Sequence, residues 1–354
     1  MPSSSLDPVM TTASGADTDT NTDTDDARPR VRLPSASLVP FRRLSLYNSP
    51  YPAHERGHAV DLYPDSNDGR SPVAGEVLGT RTVRTPQKPY AVEHDHLILV
   101  ACDDDWCAAA GLEERVVARV LHVDPAVEAG DRVAVGDSLG EMVRSGFFAP
   151  WVDNHVHLGF RTGDQNLQRA SGSLPLSLST PVTPLAWDGT GRVVETGETY
   201  VVLDTPAHPG RAAGWCGLGA DRGVSTPDAT RGVLDGGLPH YDGGGFLSAT
   251  PATGVGDEGE AEMEMEAKTE TEMGMVEMTA EQRDDGPVSL LGQVVGDRHG
   301  RTVAWRDVTV EANGTPVVGL SLFLARDGPA GVKVVCPDHG FERGDWLTVR
   351  VRVE

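Results

Sequence analysis

Residues 153–161 read Asp-Asn-His-Val-His-Leu-Gly-Phe-Arg, and no other stretch of the chain says as much about chemistry. His155 and His157 are two residues apart, so a β-strand carries both imidazoles on one face. Val156, Leu158 and Phe160 then take the opposite, core-facing side. In such a pair one imidazole can hold a metal while the other handles a proton. Two histidines also meet by chance on a sheet surface, so the elements around them must decide.

Those elements lie upstream. Residues 120–143 run Val-Leu-His-Val-Asp-Pro-Ala-Val-Glu-Ala-Gly-Asp-Arg-Val-Ala-Val-Gly-Asp-Ser-Leu-Gly-Glu-Met-Val. Two short Val-rich strands end there in turns at Gly130-Asp131 and Gly136-Asp137. Before them come Gly57-His58-Ala59-Val60-Asp61-Leu62 and Ser71-Pro72-Val73-Ala74-Gly75-Glu76-Val77. Over residues 50–162 this order resembles the M23 (lysostaphin/LytM-type) zinc metallopeptidase core, the duplicated hybrid motif. The family order is a His/Asp strand, a Pro-x-x-Gly-x-Val turn and strand, a His-bearing strand, a Val-x-x-Gly-Asp run and a closing His-x-His.

Carried over by position, the resemblance implies that Asp61 and His157 are Zn²⁺ ligands and that His155 and His122 are the catalytic pair. Its first ligand falls on His58. Here the chain departs from the pattern, which sets histidine four residues before the aspartate and so on the same strand face. His58 stands three before Asp61, and on a regular strand the two point to opposite faces. A bulge at Gly57 would re-aim one of them; His54 is a second candidate, at a loop's distance. Three ligands leave a fourth Zn²⁺ position for water, whose pKa falls to about 7. His94 and His96, ahead of the apolar run Leu97–Val100, read as an edge or surface pair.

The rest of the chain bounds these readings. Its 354 residues carry a formal net charge of −23, with 53 Asp and Glu against 30 Lys and Arg. That balance excludes a nucleic-acid-binding protein of the basic kind. Lys88, Lys268 and Lys333 are the only lysines, a depletion that resembles proteins of halophilic archaea, where high salt screens a carboxylate-covered surface. Cys102, Cys107, Cys216 and Cys336 form no Cys-x-x-Cys and read as free, partly buried thiols; a surface disulfide between Cys102 and Cys107 is the alternative for an exported protein. No stretch has the length of a membrane span. No secretory signal is visible in residues 1–26, so a cytoplasmic location is expected.

Composition divides the chain into five parts. Residues 1–32 are an acidic Ser/Thr/Asp-rich tail expected to be disordered. Residues 33–163 are the M23-like β-core, with one helical excursion over 103–119. Residues 164–256 are a Gly/Pro-rich β extension whose loops 214–219 and 238–246 suit the rim of a cleft. Residues 257–285 alternate Glu with Met, Thr and Ala and read as a solvated linker. Residues 286–354 are a C-terminal β module, whose strand 346–353 alternates Leu347, Val349, Val351 and Val353 with polar partners.

The fold class expected is therefore all-β, a duplicated hybrid motif barrel or sandwich with a C-terminal β extension and disordered acidic segments. The first functional reading is a zinc-dependent hydrolase of M23 type acting on a peptide or glycopeptide. The second is a non-catalytic binding or scaffold module that keeps the fold. A third, on fold likeness alone, is a phosphocarrier of the glucose-type IIA kind with His122 as acceptor.

Overall fold

The computed structural model describes residues 28–223, 231–248 and 285–354. The fold is all-β with barrel-like sheets. Most of the acidic tail and of the Met/Glu stretch lies outside the described residues. Val31 and Arg32, at the end of the expected tail, instead open the first strand, β1 (Val31–Leu33).

The strands of the first body are β2 (Phe41–Ser45), β3 (Ala59–Pro64), β4 (Asp68–Arg70), β5 (Gly75–Arg84), β6 (His94–Cys102) and β7 (Val116–Leu121). They continue with β8 (Val123–Pro125), β9 (Arg132–Val133), β10 (Ser138–Met142), β11 (Val156–Thr162) and β12 (Leu176–Leu178). Hydrogen bonding orders seven of them as an antiparallel sheet, β2-β3-β11-β7-β6-β5-β9. A smaller sheet, β4-β10-β8, packs on its apolar side. Strand alternation builds the core between them. Val60, Leu62, Ile98, Val100, Ala118, Val120, Val156, Leu158 and Phe160 all point one way and are buried together. The odd-numbered residues of β3, β7 and β11 face the other way, toward the candidate site.

The two Gly-Asp turns have a shared geometry. Gly130 and Gly136 sit at φ +95° and +91°, where a side chain is strained. Each following aspartate accepts the N–H of the residue three before it, Glu128 to Asp131 and Ala134 to Asp137, both at 2.8 Å. The helical excursion is shorter than expected. Helix α1 (Pro52–Glu55) belongs to the β2–β3 connection, and α2 (Asp104–Ala109) ends before Gly111 at φ +74°. Val116 onward is β7, where β-branched residues sit between two neighbouring strands. The surface disulfide does not form: all four cysteines are free and buried.

The second body holds β13 (Val182–Leu185), β14 (Thr190–Thr196), β15 (Tyr200–Leu203), β16 (Trp215–Arg222), β17 (Arg231–Leu238) and β18 (Gly243–Ser248). It continues with β19 (Gly286–Leu290), β20 (Gln293–His299), β21 (Thr302–Trp305), β22 (Val308–Ala312), β23 (Thr315–Val317) and β24 (Gly319–Leu322). Last come β25 (Leu324–Ala325), β26 (Lys333–Val335) and β27 (Trp346–Val353). Six antiparallel strands close a ring, β16-β17-β18-β21-β20-β19 and back to β16. Strands before and after the Met/Glu stretch thus pair with one another, as do β14 with β27 and β15 with β26. β25 pairs with both β2 and β16, so one sheet runs through both bodies. Trp215, Val233, Leu247 and Leu324 enter the first body's core. Among the described residues no helix is long and apolar enough to cross a membrane.

Candidate metal centre

Strand register brings the first two groups together. His157 on β11 lies directly opposite Asp61 on β3, and both side chains leave the sheet on the face away from the core. The His157 Nδ1 stands 2.9 Å from Asp61 Oδ1. His155, two residues earlier, directs its Nε2 to the same oxygen at 3.3 Å.

The third group is His54. It comes from the short helix α1, which Pro52 opens and which carries the chain from β2 back to β3. The His54 Nδ1–H donates to the Leu46 carbonyl at 2.7 Å, so in the neutral ring Nε2 bears the lone pair. That Nε2 lies 3.1 Å from His157 Nδ1 and 3.3 Å from Asp61 Oδ1. His58 does not join them. As the spacing implies, it points away from Asp61; it lines a different cavity beside Pro175 and Leu176, and its backbone N–H is held by the Ala53 carbonyl. Gly57, at φ +64°, turns the chain between the two histidines, so α1 supplies the ligand in place of a bulge in β3.

His54, Asp61 and His157 place one ligand atom each within 4.8 Å of one another, and two of the three residues are buried. Three electron-pair donors facing one point repel unless a cation or proton lies between them. Their separations of 2.9, 3.1 and 3.3 Å approach the edge, about 3.3 Å, of a tetrahedron with bonds of 2.0–2.1 Å. The fixing of His54 by a carbonyl on its far nitrogen is the usual arrangement behind a metal-binding imidazole. The residues present fit a Zn²⁺ ion.

His122 and His155 stand beside this group with their rings 5.1 Å apart. His122 follows β7 at φ +71°, and this left-handed turn swings its ring inward. Its Nδ1 and backbone N–H both bond the buried carboxylate of Asp95, which also accepts from Ser145 Oγ. The His155 Nδ1–H donates to the Asp153 carbonyl at 2.9 Å, and Phe148 stacks on the ring at 4.4 Å. Both imidazoles are therefore fixed through Nδ1. His94 is exposed and His96 half-buried at the start of β6, and neither reaches the centre.

Charge follows this geometry. Burial pushes Asp61 up, but His155 and His54 outweigh it and hold its carboxyl well below the usual range. Burial lowers His157 to about 4 despite Asp61, so its ring is neutral at physiological pH. Burial also lowers His122, against the pull of Asp95. His54 moves the other way: burial lowers it, while Asp61 and the Leu46 carbonyl raise it further.

The centre opens into a cavity of about 440 Å³. Tyr51, Phe147 and Phe148 form one side and Arg81 and Arg119 the far end, while Tyr241 reaches in from the second body. That body also braces the strand before the histidines. Asp153 accepts from Arg43 at 2.9 Å and from Lys333 on β26 at 2.8 Å, and Lys333 lies over the Tyr200 ring. Sequence reasoning missed Asp95 and Asp153, although Asp95 stands between His94 and His96 and alternation alone turns it inward.

Residues 32–178 match the family model described as Domain of unknown function (DUF8155) N-terminal domain, and residues 183–352 match the DUF8155 C-terminal domain. No curated protein matches the chain in sequence. Among solved structures, one chain of the SpoIIQ-SpoIIIAH pore forming complex is similar, at 15% identity and a TM-score of 0.21. That similarity covers 38% of this chain and 84% of the other.

Proposed function

We propose that this chain, which belongs to the DUF8155 family through both of its domains, is a zinc-dependent hydrolase of M23 type acting on an amide bond of a peptide or glycopeptide. The observation that carries the reading is the convergence of His54 Nε2, Asp61 Oδ1 and His157 Nδ1 on one point beside two further fixed imidazoles. Zn²⁺ at such a site lowers the pKa of a water toward 7 and polarises a carbonyl. The chain's own residues do the remainder. Nε2 of His122 or His155 takes the proton of the attacking water. The Asp95 carboxylate stabilises the imidazolium on His122, and the Asp153 carbonyl stabilises the one on His155. The same proton then passes to the leaving amine. Phe148 and Tyr63, packed on His155, keep bulk water from the ring.

The test is metal analysis of the purified chain. One Zn²⁺ per chain is expected, and His54→Ala or His157→Ala should weaken binding by more than the roughly 10–100-fold that loss of an outer hydrogen-bond partner costs. His58→Ala should keep the metal, and His155→Ala should keep it while losing hydrolysis. Retention of zinc in His157→Ala overturns the ligand assignment, and its absence from the wild type leaves the second reading, a non-catalytic scaffold. The departure of the first ligand from its usual strand position favours that reading.

A further inference from the structure

Beyond His157 the floor of the cleft changes from histidine to arginine. On the face that carries His157, the next residue of β11 is Gly159, and its partner on β7 is Arg119. Arg119 is therefore one strand across and two residues along from His157, about 8 Å away at strand spacings of 4.8 and 3.3 Å. Gly159 puts no side chain of its own between them, and Ser173 packs on it, with Oγ 3.2 Å from where a Cβ would stand.

Arg119 is buried, with 6% of its surface exposed. Its Nε–H donates to the Leu167 carbonyl at 2.8 Å. Among the described residues no carboxylate pairs with it, and no acceptor meets its Nη1 or Nη2 groups. Arg161, one row further, differs: the carbonyls of Asn166, Arg169 and Ser171 take its Nη groups and fold residues 164–172 over the end of the sheet. Burial, and then the like charge of Arg161, lowers Arg119 to about 10, so it remains a cation at neutral pH. Arg81 reaches the same end of the cleft, bonded to Gln168. Arg84 lines it too, paired with Glu93. Asp61 is the one acidic residue of the lining, in a protein of net charge −23.

We propose that Arg119, flanked by Arg81, is an anion subsite that receives a carboxylate of the substrate one to two residues from the bond to be cut. The inference rests on the hydrolase reading. A guanidinium offers a planar pair of N–H groups that matches a carboxylate. With each residue of an extended peptide spanning 3.3–3.6 Å, a carboxylate on Arg119 sets an amide one or two residues away over His157. The substrate class is thus a peptide ending in a free α-carboxylate, or carrying an acidic side chain at that position.

The probes are acetyl-alanyl-alanine and its C-terminal amide, titrated into the full chain and followed by amide chemical shifts, with zinc and after chelation. The acid should bind at least tenfold more tightly than the amide. Arg119→Met should abolish that preference with zinc content unchanged, and Arg119→Lys should restore part of it. Arg81→Met, on an exposed side chain that leaves the fold undisturbed, should reduce it. Equal binding of acid and amide, including no binding of either, overturns the subsite, as does a preference that survives Arg119→Met. Preference in the chelated protein is read without zinc, so failure of the metal site and failure of the subsite give different results.

Discussion

At the scale of single residues, the site is a set of imidazoles whose second nitrogen has been committed elsewhere. His54 is committed to the Leu46 carbonyl, His122 to Asp95 and His155 to the Asp153 carbonyl. Asp95→Asn should therefore leave zinc content intact while lowering turnover of any substrate found by a hundredfold or more, as loss of a tautomer-fixing carboxylate does elsewhere; single-turnover assays on matched zinc-loaded samples would check it. A different carboxyl governs pH. Asp235 accepts from Ser45 Oγ at 2.5 Å and from the Leu46 N–H at 2.6 Å, and burial raises it to about 7. Its unfolded value is about 3.9, so its contribution is fully present below pH 4 and is lost as pH rises through 7. Stability should fall by a few kcal/mol over that interval, at roughly 1.4 kcal/mol for each pH unit crossed. Urea denaturation at pH 5 and pH 8 should show this loss in the wild type and a flatter profile in Asp235→Asn.

At the scale of elements, alternation made β11 legible, because Val156, Leu158 and Phe160 share one face and His157 and Arg161 the other, whereas the second face of β7 carries Val117 and Leu121 beside Arg119. His155 and His157 share a face because of it, whereas Asp61 follows only from the resemblance in the order of the elements. His54 follows from neither, because its position depends on how a turn and four helical residues return the chain from β2 to β3, and period-two reasoning stops at the strand end. Asp153 was hidden for another reason: its partners Arg43 and Lys333 are 110 and 180 residues away. The pairing of 164–248 with 285–354 was equally non-local. Lys333→Met should cost roughly 1.5–3 kcal/mol, the range for a hydrogen bond to a charged group. Chemical denaturation, with zinc affinity measured alongside, would show whether the loss loosens the histidine strand as well as the junction.

At the scale of the whole molecule, two features dominate: net charge and the stitching of the two bodies. A charge of −23 repels itself when the screening length grows from about 3 Å in molar salt to 10 Å at 0.1 M. The melting temperature should drop by roughly 10 °C or more on dialysis from 3 M KCl to 0.1 M, several kcal/mol at this chain length; an unchanged melt would remove the salt-adapted reading. Residues 28–180 alone should fail to give a soluble domain, because β2 loses β25 as its neighbour and the core loses Trp215, Val233, Leu247 and Leu324. The stitching also imposes an order in time. A ribosome adding about 5–20 residues per second completes β12 on the order of ten seconds before it reaches β25 and Lys333. Through that interval the nascent histidine sheet has an unpaired edge, and Asp153 has Arg43 but not Lys333 to hold it. The candidate site of a newly made molecule would thus become rigid only when the last tenth of the chain emerges.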